Sequence, residues 1–330
     1  MIRLIMMLAL SAALLITAAC GGPADNKPHR KALVLYSELD NKFTEDLVRS
    51  YNRQNKDGVL LKAIYEIKAD GLPPDIVLAG QRTLNGLKVD GELASVTCWA
   101  GDSLDTGFKD NEGCWYGAFY DPVVFLINQH YARTVGQQTI RGWTDLENTE
   151  HIRIAVQNLS NSNSTRNFLG GMASHMGEST SLNYLWNINR YISQYAKFPF
   201  TPIRMVAVGD ADLAITRQSY VFKYLENNFP AYVAYPEEGT PVNLYGAAVF
   251  KSSKYQNEGA GFISWLIADE AVQKISQMHE TGFMFLLPQG LHGAEAAPSR
   301  LWLNTEYLLA APQEALTAKW LDNVRFSNDK

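Results

Sequence analysis

The stretch Met205-Val206-Ala207-Val208-Gly209-Asp210-Ala211-Asp212-Leu213-Ala214-Ile215-Thr216-Arg217-Gln218-Ser219-Tyr220 decides the fold. An apolar run closes on the polar Gly209 to Asp212, a second short run Leu213-Ala214-Ile215 follows, and Thr216 to Tyr220 opens an amphipathic helix. The pattern reads as strand, polar lip and helix, the repeating unit of an α/β protein. In open α/β sheets, ligands lie beyond the carboxyl ends of strands, where loops and helix amino termini converge. A routine strand-to-helix connection has the same pattern, so the lip alone does not make a site.

Upstream, Lys31 to Tyr36 (KALVLY) is a run of strand formers bounded by the polar Ser37 to Asn41. Phe43, Leu47, Val48 and Tyr51 then recur at helical spacing behind a cap at Asp40 or Asn41. Val59 to Ile67 and Pro74 to Gly80 continue as strands, the latter ending on Gly80-Gln81. Trp115 to Asn128 (WYGAFYDPVVFLIN) is a long aromatic and β-branched segment, and Pro122 within it argues for an edge strand or a crossing between lobes. Trp143 to Leu146 starts a short helix, and His151 to Gln157 alternates toward a strand. That strand opens into Asn158 to Thr165 (NLSNSNST), hydroxyls and amides placed where a helix amino terminus favours an anion. The same residues serve equally as plain loop and cap residues. Leu182 to Tyr195 reads as one amphipathic helix, Ala231 to Tyr235 and Val242 to Phe250 as strands, and Phe262 to Ile275 as a helix. Helical pieces around Leu301 to Leu309 and Gln313 to Leu321 close the chain.

With 330 residues, 46% hydrophobic and 19% charged, the chain is long enough for two ordinary cores. A formal charge of -5 gives no broad basic face, which argues against nucleic acid or an anionic lipid surface as partner. The amino terminus is a separate object: Arg3, an apolar run from Leu4 to Ile16, and the small residues Thr17-Ala18-Ala19 directly before Cys20. This is an export leader, too short for a spanning helix. Gly21 to Arg30 is polar with Gly and Pro, as a flexible tether requires. In an oxidising compartment Cys98 and Cys114 are expected to close one loop as a disulfide, two free buried thiols being the alternative.

Five segments, in order, resemble the periplasmic solute-binding proteins of ABC importers, in particular the iron(III)-binding type with the two-lobed type II architecture. They are Pro74-Asp75-Ile76-Val77, Tyr120 to Asn128 (YDPVVFLIN), Gly142 to Leu146 (GWTDL), Gly209 to Ala214 (GDADLA) and Pro241 to Val249 (PVNLYGAAV). The leader is similar to a bacterial lipoprotein signal in which Cys20 becomes the lipidated first residue, although Thr17 stands where that motif usually has Leu. The resemblance implies an α/β fold with mixed sheets, helices on both faces, and two lobes joined by crossing strands around a solute cleft. It divides the chain into a signal at 1–19, a tether at 20–30, lobe 1 at 31–122, lobe 2 at 123–244, a return to lobe 1 at 245–290, and a helical segment at 291–330 that either lobe can claim. It also implies an exported monomer, lipid-anchored to the membrane and facing the periplasm or cell exterior. Its partners are then a small solute and the transmembrane subunits of an ABC permease, with no cofactor.

The family's iron ligands carry over poorly. Its histidine position falls at Asp40, its glutamate near Gly80, and of its adjacent tyrosine pair the first is Ser219 and only Tyr220 is kept. Fe(III) prefers several hard anionic oxygen ligands, and one tyrosine with one carboxylate supplies too few unless a bound anion completes the sphere. Donors at Ser162, Ser164 and Thr165, the helix start at Ser219-Tyr220, and Arg217 or Arg166 suit phosphate, phosphonate or carboxylate instead. Ser37, Asp40, Gly80 and Gln81 follow first-lobe strands, Asn243 lies in the last motif, and Tyr36, Tyr120, Tyr220 and Tyr245 can cover an organic portion. Plainer roles compete: packing for Tyr36 and Tyr120, a helix cap for Asp40, a surface ion pair for Arg217. The expected solute is an anionic organic molecule or metal chelate, ahead of bare iron.

Enzyme signatures are missing from the sequence: no nucleophile elbow, phosphate-binding glycine loop or paired-histidine zinc helix occurs. His175 with Glu178 and His279 with Glu280 read as solvated helix faces, which leaves a metal-dependent hydrolase as a remote alternative. The expected mechanism is solute capture without chemistry. A lipoprotein that signals to a membrane sensor kinase without transport would share the same cleft.

Overall fold

The computed structural model describes residues 31–56, 58–68, 71, 73–135, 140–224, 229–286 and 300–327. The leader, Cys20 and the tether at 20–30 lie outside the described residues. Among these residues the strands are β1 (Ala32–Ser37), β2 (Leu60–Ile64), β3 (Ile76–Gly80), β4 (Tyr116–Asn128), β5 (Ile154–Gln157), β6 (Ile192–Ala196), β7 (Leu213–Arg217), β8 (Ala231–Ala234), β9 (Thr240–Val249), β10 (Met284–Phe285) and β11 (Leu301–Trp302). Their order is β2-β1-β3-β9-β4-β7-β5-β6, with β8 and β10 also pairing with β4 and β11 with β9. β1, β2 and β3 are mutually parallel, as are β5, β6 and β7, while β9 runs antiparallel to β3 and β4, β4 runs antiparallel to β7, and the short β11 is parallel to β9. Parallel strands covered on both faces are nearly all apolar, as Ile76 to Ala79 are, and all four are fully buried.

β4 joins the two halves. Tyr116 to Pro122 pair with β9, and from Val123 the ladder passes to β7, with β8 against Phe125 to Asn128. Pro122 has no N–H to give and sits opposite Val242, where the ladder changes partner. Of the two roles open to Pro122, the structure shows the crossing.

Each half has its own apolar packing, which makes the fold two-lobed. One core gathers Leu33, Leu35, Phe43, Leu47, Leu78, Phe119 and Phe262. In the other half β4 alternates: Phe125 and Ile127 face a core with Trp143, Leu169, Met172 and Trp320, while Val124 and Leu126 face Ile203, Val206 and Val221. The helix Ala310–Trp320 and the π-helix Leu321–Arg325 that continues it belong to the second core, through Leu316, Trp320 and Val324 and a 2.9 Å bond from Asn189 Nδ2 to the Val324 carbonyl.

Several expectations are corrected. The run through Val208 is a helix, Thr201–Val208, and not a strand. Pro202 starts it without a hydrogen-bond loss, Ile203 and Val206 fall on one buried face, and Gly209 at φ 83° ends it in the left-handed conformation. The strand is the second apolar run, β7, so the polar Gly209 to Asp212 precede it, and the lip at its carboxyl end is Thr216 to Tyr220, leading into the helix Gln218–Tyr224. The helix expected through Tyr195 stops at Asn189, because Ile192–Ala196 pairs parallel with β5 as the sheet's last strand. The expected Cys98–Cys114 bridge is not formed, and both are buried free thiols. Cys98 Sγ instead lies 3.2 Å from Ser264 Oγ and accepts from Gly101 N, and burial raises the pKa of both thiols.

Candidate functional site

The carboxyl ends of β1, β3, β5 and β7 and the crossing region of β9 meet at a cleft with two connected walls. The outer cavity, ≈ 210 Å³, takes Glu38, Gly80, Gln81, Arg82 and Thr83 from the first lobe, Asn163, Ser164 and Asn167 from the second, and Asn243, Leu244 and Tyr245 from β9. A smaller cavity, the inner one here, shares Ser164 and is lined by Val123, Val156, Phe168 and Ile215, with Gln157, Thr165, Thr216, Arg217 and Tyr220 as its polar lining.

Arg217 ends β7 opposite Val123. Its Nη1 donates to Tyr245 Oη at 2.9 Å and lies 3.2 Å from Asp121 Oδ2, and its guanidinium stands 4.0 Å from the centre of the Tyr220 ring. Asp121 is fully buried and accepts the backbone N–H and hydroxyl of Ser219 at 2.9 and 2.6 Å. Burial pushes the Asp121 carboxyl above the ordinary carboxylate range, against the pull of Arg217 and Ser219. Burial opposes charge on Arg217 too, but Tyr245 and Asp121 outweigh it and the guanidinium is held above its usual pKa. Two residues that line the cleft each carry a buried donor without a hydrogen-bond partner among the described residues: Arg217 Nε and Asn243 Nδ2. Buried donors are seldom left so, and an acceptor placed there gains what their desolvation has cost.

The helix Asn163–Met176 points its amino end into the cleft. Ser162 Oγ accepts from Thr165 N at 3.2 Å and Thr165 Oγ1 accepts from Ser162 N at 3.1 Å, so these hydroxyls serve the cap. Asn163 and Ser164, in the first turn, form the wall, where the helix dipole favours negative charge. Across the mouth Arg82 Nη1 donates to Asn163 Oδ1 at 2.6 Å and to Gln313 Oε1. Glu38 accepts from Thr83 Oγ1 at 3.0 Å and, more loosely, from Gly80 N at 3.4 Å.

Of the residues expected from sequence, Gly80, Gln81, Ser164, Thr165, Arg217, Tyr220, Asn243 and Tyr245 line these cavities. Ser37 is turned to Thr44 Oγ1 at 2.9 Å, Asp40 caps the helix Asn41–Gln54 by accepting from Lys42 and Phe43 N, and Tyr120 is packed in the first core. Ser162 and Ser219 are spent on Thr165 and Asp121, and Arg166 on the Ser160 carbonyl. Sequence reasoning missed Glu38, Arg82, Thr83, Asn167 and Asp121, and had Asn163 only within the Asn158 to Thr165 run. Asp121 had a usable signal, as the lone charge inside a thirteen-residue buried strand. Arg82 had none.

Two other features lie elsewhere. A more open groove of ≈ 400 Å³ at His151, Arg153 and Arg190 sits at the amino end of β5, and Arg153 there is committed to Asp212 at 2.7 Å. The described residues that could together hold a metal ion are Asp110, Glu112 and Cys114, away from the cleft. Within the cleft the acidic side chain is Glu38 alone among the described residues, a thin set for Fe(III).

Residues 72–310 match the family model described as bacterial extracellular solute-binding protein. An uncharacterized protein of Haemophilus influenzae is 24% identical over 160 residues, 46% of this chain, and the match spans only 45% of that relative's length. The solved ferric iron-binding protein A of Mannheimia haemolytica, in an open conformation, superposes with a TM-score of 0.73 at 16% identity over 90% of this chain and 99% of that one. The Trichodesmium protein IdiA (FutA), in complex with iron and citrate, gives 0.70 at 17% over 90% and 100%. The periplasmic binding protein AfuA of Actinobacillus pleuropneumoniae, with fructose-6-phosphate bound, gives 0.64 at 18% over 90% and 100%. At these identities the likeness shows the fold, the two-lobed periplasmic binding protein architecture of type II.

Proposed function

The chain belongs to the bacterial extracellular solute-binding proteins, and on that premise we propose that it captures a small anionic organic solute, or a metal chelate, in its interlobe cleft. The observation that carries this is the pair of buried, unpartnered donors, Arg217 Nε and Asn243 Nδ2, beside the amino end of Asn163–Met176. The oxygens of a phosphate, phosphonate or carboxylate are the acceptors such donors lack, and negative charge is favoured at that end of the helix dipole. Bare iron ranks second, since Tyr220 offers its ring to Arg217 and Glu38 stands alone. Relatives of the same fold carry iron with citrate and a sugar phosphate, which is consistent with an anion-first cleft.

The solute contacts both lobes and its binding energy favours the closed state. An ABC permease receives that state, and lipidated Cys20 keeps the protein at the membrane. The working division is lobe 1 at 31–122 with a return at 245–290, and lobe 2 at 123–244. Thermal melts of the protein lacking residues 1–19, with phosphate, alkylphosphonates, sugar phosphates, carboxylates and ferric citrate, test the reading. A cognate anion at a hundred times its Kd stabilises by about 2.7 kcal/mol. Stoichiometric iron retained without any added anion overturns the order of solutes.

A further inference from the structure

We infer that the turn Thr281-Gly282-Phe283 positions Arg217 for the solute while standing outside both cavities. This rests on the reading of Arg217 as an anion donor and goes beyond it, to the residues that hold the donor in place.

The turn is fixed to the first lobe. Phe283 stacks on Phe119 with 4.9 Å between ring centres, and Thr281 Oγ1 accepts from Phe283 N at 3.2 Å. Met284 and Phe285 then pair with Tyr120 and Phe119 of β4. None of the three turn residues lines either cavity. The turn nevertheless reaches Arg217 by two routes. The Phe283 ring lies 5.3 Å from that of Tyr245, whose hydroxyl accepts from Arg217 Nη1. Gly282 meets the residues that directly follow Arg217 in the chain: its carbonyl accepts from Gln218 Nε2 at 2.7 Å, and Gln218 Oε1 accepts from the Tyr235 hydroxyl.

The contact at Gly282 leaves no room for a side chain. Its φ of 64° is left-handed, and a Cβ there would stand 2.9 Å from Ser219 Cα and 3.1 Å from the Gln218 carbonyl oxygen. Both neighbours are backbone and cannot swing aside, so the start of the helix Gln218–Tyr224 must shift. Ser219 is bonded to Asp121, and Asp121 to Arg217, so the shift passes to the guanidinium. A binding group serves only while its supporting residues hold it within about 0.5 Å of the productive geometry. Part of that support for Arg217 comes from a turn of the other lobe.

Nuclear magnetic resonance of the Arg217 Nε–Hε group, assigned by its loss in Arg217→Lys, tests this. In Gly282→Ala the signal is expected to move in the solute-free protein, and inorganic phosphate is expected to saturate its shift only at about tenfold higher concentration. Gln218→Leu, which keeps the bulk and removes both side-chain bonds, is expected to act in the same way. Leu61→Ala is the control for lost stability: it is buried in the first core on β2, with β1, β3 and β9 between it and β4. It is expected to lower the melting temperature and leave the signal in place. If neither Gly282→Ala nor Gln218→Leu moves the signal, the inference is overturned and the anion reading stands. If Leu61→Ala moves it equally, the effect is one of general stability and the inference is again overturned. If phosphate leaves the wild-type signal unmoved, the result counts against Arg217 as an anion donor, and the solute-free signals still decide the role of the turn.

Discussion

Ser219 gives both its backbone N–H and its hydroxyl to Asp121, and Asp121 in turn lies 3.2 Å from the Arg217 guanidinium, so one buried carboxylate fixes the start of a helix and the charge beside it. Removing that carboxylate leaves Arg217 buried without its counter-charge. Asp121→Ala is expected to cost about 3–5 kcal/mol, whereas Ser219→Ala, which keeps the backbone bond, costs about 1–3 kcal/mol. Urea unfolding of the two variants checks the ranking, and equal costs would contradict it.

Tyr220 meets Arg217 through its ring. Tyr220→Phe is therefore expected to keep solute affinity within about twofold, and Tyr220→Ala to weaken it by the loss of a cation–π contact of about 0.5–2 kcal/mol. A large loss in the Phe variant would show that the hydroxyl itself meets the solute.

Arg82 is the residue that spans the mouth, from a helix of the first lobe to Asn163 and Gln313 of the second. Arg82→Ala is expected to shift the solute-free protein toward open forms, seen as a larger radius of gyration in solution scattering. An unchanged radius would mean that these bonds do not hold the lobes together.

The acid limb of stability should carry the mark of Glu238. Its carboxylate accepts from Trp143 N and Thr144 N at 3.1 and 3.0 Å, at the start of the helix Trp143–Asn148. Partial burial works against its charge, but the backbone donors prevail and its pKa lies below the ordinary value. A depressed carboxyl contributes stability that is present above its unfolded pKa of about 4.3 and is lost as pH falls through the folded value. Glu238→Gln should thus be less stable by about 1 kcal/mol at pH 7, with the gap closing toward pH 3. Urea melts at pH 3, 5 and 7 decide it, and a constant gap would contradict the linkage.

Much of this fold is written locally. Apolar runs such as Ile76 to Ala79 declare buried strands, and the proline inside Trp115 to Asn128 narrows that strand to an edge or a crossing, because both signals depend only on neighbours in the chain. The run before Gly209 was harder: four apolar residues fit a strand or one face of a helix, and Pro202, just outside the run, decides for the helix. The site was half legible for the same reason. Gly80, Ser164 and Arg217 follow strands and could be placed by topology. Ser37, Asp40 and Ser162 follow them too, but their short side chains turn back to Thr44, Lys42 and Thr165. Arg82 and Asn167 reach the cleft only because two distant helices face it, which no local pattern encodes.

The thirteen residues of β4 also have a consequence for how the chain reaches this fold. The first lobe's sheet needs β9 between β3 and β4, yet the greater part of the second lobe lies between β4 and β9 in sequence. The lobe that begins first is thus completed late, and its half-formed sheet presents unpaired edges while the second lobe is being made. Such non-local pairing slows folding. For an exported chain, that slowness lengthens the time in which it remains unfolded enough to cross the membrane.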